Sequence, residues 1–223
     1  MTYATARRLL PGWLRRYVYS FEALIEDSVE ALAAGLPDGA RVLDAGAGEG
    51  QYSSQFRRQR YTGVDLGIGD AGWNYAGLDA VADLCALPFA HGSFQAVLNI
   101  VTLEHLREPG RAVRELARVL QPGGVLLLVA PFEWEVHQAP HDYFRYTRHG
   151  LDYLLAEAGL VVKEMTPAGG LFRLLARRLL NAAQFAPWLL PLFGPLALVL
   201  PLLDGLDRRR DFTLGYRCIA YKV

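Results

Sequence analysis

The sequence predicts an α/β fold in which a doubly wound, seven-stranded sheet is covered by helices. Short runs rich in Val, Leu and Ile alternate along the chain with longer segments of helical period, which is the order typical of a parallel sheet. No fixed-period repeat interrupts this alternation. At 223 residues, the chain has the size of one ordinary domain, or of one domain with an extension.

Seven apolar runs are predicted to be strands. They cover residues 41–44, 61–65, 79–83, 94–101, 125–131, 161–167 and 213–222. Helices are predicted over residues 20–34, 49–58, 110–120 and 151–158. Turn-forming Pro and Gly residues follow the first, third and fourth of these helices and mark where they stop. In a sheet wound in this way, ligands bind at the carboxyl ends of the strands.

The composition narrows the class of protein. Lys plus Arg and Asp plus Glu each number 23, and 52% of the residues are hydrophobic. Such a chain is neither disordered nor basic enough for a nucleic-acid binder. The two cysteines, Cys85 and Cys218, allow at most one disulfide, which favours a reducing cytoplasm. The first 11 residues lack an uninterrupted apolar core, so we expect the N-terminus to be retained.

The strongest local signal is a glycine-rich turn that follows the first predicted strand directly. It reads Val42-Leu43-Asp44-Ala45-Gly46-Ala47-Gly48-Glu49-Gly50. Glycines at such a turn adopt positive φ angles and lack the Cβ atoms that would collide with a bound nucleotide. A tight turn with a purely structural role is the alternative interpretation.

Three acidic residues near this turn indicate which class of ligand it binds. Asp65 ends the second predicted strand, where a carboxylate can accept both hydrogens of a ribose diol. Glu49 occupies the place of a pyrophosphate and would repel it, which argues against a nicotinamide dinucleotide. Asp44 ends the first strand and suits the α-amino group of an amino-acid tail.

At this point the sequence resembles the class I S-adenosylmethionine-dependent methyltransferases, over residues 41–159. The resemblance rests on five motifs in order, at residues 42–50, 62–65, 82–89, 94–106 and 120–128. The chain departs from the pattern at Gln95, where many relatives carry an acidic residue. The resemblance implies a Rossmann-like sheet, mostly parallel with an antiparallel last strand, and S-adenosylmethionine as cofactor.

The resemblance also implies roles for individual residues. The methionine part of the cofactor is expected at Asp44, Gly46, Gly48 and Gly50, the ribose at Asp65 and Leu66, the adenine at Asp83 and Leu84, and a further contact at Asn99.

Methyl transfer to a hydroxyl requires a base near the strand tips. His137, His141 and His149 follow the fifth strand, and we predict His141 as the base, with His137 second. A turn at residues 140–142 that caps the next helix is the alternative role for His141. A metal site formed by His137 and His141 with nearby carboxylates is a lesser alternative, and no metal is predicted.

Residues 179–203 form an uncharged, apolar stretch of 25 residues. A single membrane crossing is excluded if the strands on either side pair in one sheet, and four prolines would break a continuous helix. A lid on the acceptor pocket, a dimer surface and a membrane-interface segment stay open. Arginines flank the stretch on both sides, which suits an anionic membrane surface or lipid-linked acceptor.

Together these features predict an N-terminal helical cap over residues 1–39 and a methyltransferase domain over 40–223, with an apolar helical insertion at 170–210. The predicted activity is methyl transfer to a small-molecule or lipid- or glycan-linked acceptor, with a hydroxyl as the favoured group and no nucleic-acid partner. A membrane surface at the inner face and a homodimer are further candidate partners. The rival hypotheses are a non-catalytic cofactor-binding subunit and a nicotinamide-dependent oxidoreductase.

Overall fold

A computed structural model describes residues 10–69 and 72–223. Residues 1–9 carry most of the N-terminal segment predicted to be retained, so that prediction lies outside the described residues. The described chain falls into two compact units. One comprises residues 27–166 and 216–223, and the other comprises residues 10–26 and 167–215.

The larger unit is built on a seven-stranded sheet. Its strands are β1 (Arg41–Ala45), β2 (Arg60–Asp65), β3 (Ala80–Val81), β4 (Phe94–Ile100), β5 (Leu120–Pro131), β6 (Leu160–Pro167) and β7 (Gly215–Lys222). The strand order is β3-β2-β1-β4-β5-β7-β6. The first five strands pair in parallel, whereas the last strands run antiparallel. This confirms the predicted fold class.

Six α-helices are present in the part of the chain that the structure describes. They are α1 (Gly12–Val18), α2 (Ser20–Gly35), α3 (Pro109–Val119), α4 (Arg148–Glu157), α5 (Leu171–Phe185) and α6 (Leu190–Val199). Helix α3 buries five apolar side chains, and α4 buries Leu151 and Leu155 in the same core. Each fully buried Leu contributes about 2 kcal/mol of hydrophobic stabilisation. Thr147 caps α4 by accepting a hydrogen bond from the Gly150 amide at 3.1 Å.

The predicted helix over residues 49–58 is wrong. The segment contains only the short 3₁₀ helix Ser53–Gln55. Gly48 and Gly50 have φ angles of +54° and +73°, which no right-handed helix contains. The serines that follow are weak helix formers, and Phe56 anchors the segment by burying its ring against Tyr61, at 5.8 Å between ring centroids.

Strand β3 is also shorter than the predicted 79–83 and pairs with β2 through Ala80 and Val81. The Asp79 carboxylate accepts a hydrogen bond from the Gly63 amide at 2.8 Å, and the Asp83 carboxylate accepts one from the Cys85 amide at 2.8 Å. The Asp83 side chain bonds to the backbone two residues ahead, a local contact that favours a turn over continued strand pairing.

The register of the central strands fixes where the glycine-rich turn lies. Leu43 of β1 pairs with Thr62 of β2 and with Val97 of β4. Because these strands are parallel, the segments that follow β1, β2 and β4 emerge at one edge of the sheet. The predicted site residues are therefore gathered at that carboxyl edge.

The smaller unit contains α1, α5, α6 and two 3₁₀ segments, Pro187–Leu189 and Leu200–Leu206. Its stretch Pro187–Leu206 has a mean hydropathy of 1.9 and is long and apolar enough to cross a membrane. Only 17% of the stretch is buried within the protein. Strands β6 and β7, which flank it in the chain, are neighbours in the sheet, so a single crossing is excluded. The boundaries of this unit differ from those of the predicted N-terminal cap, which ends at residue 39. In the structure, residues 10–26 group with residues 167–215.

Candidate active site

The turn after β1 adopts the positive φ angles that its glycines predict. Gly46, Gly48 and Gly50 have φ angles of +92°, +54° and +73°. The amides of Gly46 and Ala47 donate hydrogen bonds to the Val64 carbonyl, at 2.8 and 3.0 Å, which ties the turn to β2. A Cβ atom at Gly46 would collide with the side chain of Thr102. Glycine is therefore required at this position by both conformation and space.

Asp44 is the next-to-last residue of β1, and its carboxyl group is buried. The Tyr61 hydroxyl donates a hydrogen bond to its Oδ2 atom at 2.6 Å. Burial raises the pKa of Asp44 to about 7, the Tyr61 hydrogen bond opposes this, and the charge of Asp65 adds to the increase. The residue can thus change charge near neutral pH, or hold its charge when a cation binds beside it.

Asp65 ends β2 and braces the glycine-rich turn. Its Oδ2 accepts a hydrogen bond from the Gly48 amide at 3.0 Å, and its Oδ1 accepts one from the Gly67 amide at 2.8 Å. Leu66 beside it is 42% exposed. Glu49 accepts a hydrogen bond from the Asn74 amide at 2.9 Å, which links the turn to the loop after β2.

The remaining predicted cofactor residues lie on neighbouring segments and differ in exposure. Asp83 is exposed after β3, whereas Leu84 is buried in the core. Asn99 of β4 is fully buried, and its amide nitrogen donates a hydrogen bond to the Ala45 carbonyl at 2.7 Å. Its Oδ1 atom has no hydrogen-bond partner among the described residues.

These residues fit an adenosyl amino-acid cofactor. Carboxyl groups stand at the ends of β1 and β2, and the turn between those strands lacks Cβ atoms at three positions. The indole of Trp73 packs on this turn, with a ring carbon 3.0 Å from the position that a Cβ of Gly48 would take. An aromatic surface on the turn, together with the carboxylates of Asp44 and Asp65, suits a ligand with a ring, a diol and an ammonium group.

The loop after β5 is held by an ion pair. Arg145 donates to both carboxylate oxygens of Asp142, at 2.5 and 2.7 Å, and Asp142 also accepts a hydrogen bond from the His137 amide at 2.9 Å. Arg145 lowers the pKa of Asp142 to about 2. Asp142 therefore stays charged at neutral pH and fixes the loop that carries His137 and His141.

His141 is half-buried in this loop. Its Nδ1 atom lies 3.1 Å from the Tyr143 hydroxyl, which accepts a hydrogen bond from Arg107 Nε at 3.0 Å. The helix that follows is capped by Thr147. This arrangement orients the His141 imidazole through Tyr143, whereas Asp142 pairs with Arg145.

The structure adds Glu104, which is not among the predicted site residues. It follows β4 in a 3₁₀ turn and is fully buried. Its Oε1 atom lies 3.5 Å from His137 Nε2 and 3.7 Å from His105 Nε2. Burial lowers the pKa of His137, but contacts with Glu104, the Glu135 carbonyl and Asp142 outweigh it and raise that pKa above its usual value. The sequence signal for this cluster is the pair of adjacent residues Glu104 and His105, which follows a predicted strand.

The chain is similar to known methyltransferases. Residues 43–128 match a family model described as a methyltransferase domain. An uncharacterized methyltransferase of Mycobacterium sp. strain KMS is 34% identical over 48% of this chain and 44% of its own length. A fatty-acid O-methyltransferase of Mycolicibacterium smegmatis is 38% identical over 40% of this chain and 36% of its own.

A solved structure of similar fold is phosphoethanolamine N-methyltransferase 2 of Haemonchus contortus in complex with S-adenosyl-L-methionine. It has a TM-score of 0.59 and 19% identity, and the match covers 87% of this chain and 51% of that one. The matched region spans less than half the length of the two curated relatives.

Proposed function

The chain carries a class I S-adenosylmethionine-dependent methyltransferase domain, and from that premise we propose that it transfers a methyl group to an oxygen of a small-molecule or lipid- or glycan-linked acceptor. The observation that carries the proposal is the glycine-rich turn flanked by Asp44 and Asp65 at the carboxyl edge of the sheet. When bound, S-adenosylmethionine would supply a sulfonium methyl group for in-line attack by the acceptor oxygen, with S-adenosylhomocysteine as the leaving group and the hydroxyl proton passing to a base.

The roles proposed for the cofactor residues follow from their positions. Asp44 faces the α-amino group, and the backbone of the turn at Gly46, Gly48 and Gly50 lines the methionine part. Asp65 accepts from the ribose diol beside Leu66. The adenine end is assigned to Asp83 and Leu84, with Asn99 supporting the end of β1 through its bond to Ala45.

We assign the base to His141, with His137 as the second candidate. When His141 Nδ1–H donates to the Tyr143 oxygen, Nε2 carries the lone pair that can take the proton of an acceptor hydroxyl. His141→Ala is expected to lower turnover about 100-fold or more with nearly unchanged cofactor affinity. His149→Ala changes an exposed histidine nearby and is the matched control. Equal losses of turnover, cofactor affinity and stability would assign His141 a structural role instead.

An oxygen acceptor is favoured because one curated relative is named a fatty-acid O-methyltransferase. An apolar or lipid-linked acceptor is supported by the exposed apolar side chains of the stretch Pro187–Leu206. We place the protein in the cytoplasm, at the inner face of the membrane. A homodimer through the same stretch is the alternative use of this surface.

The test is isothermal titration calorimetry of the full chain with S-adenosylmethionine, S-adenosylhomocysteine and NADH in parallel. We expect both adenosyl ligands to bind and NADH to give no heat. Asp65→Ala should weaken cofactor binding by a few kcal/mol at most, whereas the exposed Asp38→Ala should not. Cofactor binding without turnover on any hydroxyl acceptor would favour a non-catalytic subunit, and binding of NADH alone would favour an oxidoreductase.

A further inference from the structure

Four buried polar atoms of three neighbouring side chains at the carboxyl edge of the sheet have no hydrogen-bond partners among the described residues. They are both carboxylate oxygens of Glu104, His105 Nε2 and His137 Nε2. The Glu104 side chain is completely inaccessible to solvent, and the His105 and His137 side chains are only 11% and 23% exposed. A buried carboxylate without a hydrogen bond is costly, and a charged histidine or a bound cation at this point would offset its charge.

Direct hydrogen bonds between these side chains do not offset this cost. The Glu104 Oε1 atom lies 3.5 Å from His137 Nε2 and 3.7 Å from His105 Nε2. Both distances exceed the usual range of about 2.7–3.2 Å for an N–H···O hydrogen bond. The three side chains are aimed at one another but are held apart.

The spacing fits a metal ion between them. The ligand atoms of Glu104, His105 and His137 all lie within 4.8 Å of one another. Zinc bonds of about 2.1 Å to nitrogen and oxygen in tetrahedral geometry place neighbouring ligand atoms about 3.4 Å apart. The two measured distances to the carboxylate oxygen are close to that value.

The other ring nitrogens are arranged as they are in metal-binding histidines. His105 Nδ1 lies 2.7 Å from the His141 carbonyl, and His137 Nδ1 lies 3.1 Å from the Glu135 carbonyl. Because a carbonyl only accepts, each Nδ1 carries the hydrogen and each Nε2 of the neutral ring keeps its lone pair. Backbone carbonyls commonly orient metal ligands in this way.

We propose that Glu104, His105 and His137 form a binding site for a divalent transition-metal ion of the zinc type, with a fourth coordination position left open. Two histidines and one carboxylate are an established ligand set for zinc and for non-haem iron. The metal takes the lone pair of His137 Nε2, which leaves His141 as the base of the proposed reaction. Metal binding itself does not depend on methyl transfer.

The experiment uses the full chain with any affinity tag removed. The metal content of protein purified without chelator is measured by mass spectrometry, and chelated protein is then titrated with Zn²⁺ by calorimetry. Co²⁺ is bound separately, and its visible spectrum reports the coordination geometry. We expect one metal ion per chain and a spectrum typical of four-coordinate Co²⁺.

Variants locate the metal. His137→Ala and the isosteric Glu104→Gln should each weaken Zn²⁺ binding by about 100-fold or more, since loss of a direct ligand costs at least as much as loss of an outer partner. His91→Ala removes an exposed histidine outside the cluster and should bind like the unchanged chain.

Two results would overturn the proposal. One is a chain that binds no stoichiometric metal. The other is a Zn²⁺ affinity that survives both ligand substitutions, which would place the ion elsewhere. If a variant fails to fold, the Co²⁺ spectrum of the unchanged chain still decides the question. S-adenosylmethionine titrations of the same samples separate a failure of this site from a failure of the proposed function.

Discussion

At the scale of single residues, the site contains buried polar groups and strained backbone. Asp44 is buried with a raised pKa, and Asn99 has a buried oxygen without a partner among the described residues. Val101, a β-branched residue, has a φ angle of +51° directly after β4. Such strain concentrates at functional sites, where the surrounding fold sustains it.

Asp44 makes stability depend on pH. Its pKa is about 7 in the folded chain and about 3.9 in the unfolded chain. Between these values the folded chain keeps a proton that the unfolded chain has lost, so the free energy of unfolding falls as pH rises. Asp44→Asn should remove this contribution, at most about 1.4 kcal/mol per pH unit. Urea unfolding from pH 4.5 to 7.5 measures it, and a variant with an unchanged pH slope would contradict the prediction.

Substitution of Gly46 tests whether the turn has no space for a Cβ atom at this position. Gly46→Ala meets both a left-handed φ and a collision with Thr102, whereas Gly39→Ala has a similar φ of +76° in open space. The backbone cost should be about 1–2 kcal/mol for each, and Gly46→Ala should lose at least about 1 kcal/mol more through overpacking. Chemical denaturation of both variants measures the difference. Equal losses of unfolding free energy in the two variants would show that the turn adapts to the added methyl group. The same conclusion would follow if Thr102→Ala did not restore stability to Gly46→Ala.

At the scale of elements, helix α5 has no capping side chain of its own, since Gly170 precedes it. Aspartates from the 3₁₀ segment Leu200–Leu206 and the residue after it take that role. Asp204 accepts hydrogen bonds from the amides of Gly170 and Arg173, at 3.0 and 3.1 Å, and Asp207 accepts one from the Leu171 amide at 2.8 Å. These carboxylates also lie at the positive end of the helix dipole.

Removal of the cap should therefore loosen the smaller unit. Asp204→Ala is expected to cost about 1–2 kcal/mol of unfolding free energy, because it leaves amides of the first turn unpaired. Asp204→Asn keeps an acceptor oxygen and should cost less. The exposed Asp211→Ala is the control. Hydrogen exchange of the α5 amides measures the effect, and unchanged exchange in Asp204→Ala would contradict it.

The apolar stretch Pro187–Leu206 is largely exposed, but its basic flanks are not equally available. Arg177 is buried and pairs with Glu22 at 2.6 Å, and Arg173 lies 3.5 Å from Asp204. The predicted upstream basic flank is thus partly used within the smaller unit. Residues 208–210, all arginines, are exposed and supply positive charge for an anionic membrane surface.

Membrane binding follows if this stretch contacts lipid. The full chain should co-sediment with vesicles of anionic phospholipid more than with neutral vesicles, and less at high salt. Replacing the exposed Leu192 and Leu202 with Asp should abolish binding, whereas Val223→Asp, an exposed apolar position elsewhere, should not. Loss of a dimer in the Leu192 and Leu202 variant, with no vesicle binding by the unchanged chain, would instead identify a dimer surface.

At the scale of the whole molecule, the larger unit carries all the proposed cofactor residues on one sheet edge. A ligand that binds only the folded state raises the free energy of unfolding by mass action. S-adenosylmethionine at 100 times its Kd should therefore add about 2.7 kcal/mol. Thermal unfolding with and without the ligand measures this, with NADH as the control. No shift at saturating concentrations would contradict cofactor binding.

The sequence by itself determined the sheet, the glycine-rich turn and the order of the family motifs, because buried strands and glycine turns leave local patterns. It did not determine the segment after the turn, where helical periodicity at 49–58 competed with glycines held at positive φ. The local sequence pattern cannot show whether this segment forms a helix or a turn, because Phe56 is anchored by a tertiary contact with Tyr61.

Only the tertiary structure decided how the polar residues meet. Glu104 and His105 follow β4, whereas His137 lies in the loop after β5, and the parallel pairing of those strands brings the three together. The Tyr61 bond to Asp44 likewise depends on the register between β1 and β2. Both contacts join residues that are distant in sequence, and the free energy of such contacts depends on register and burial rather than on residue type alone.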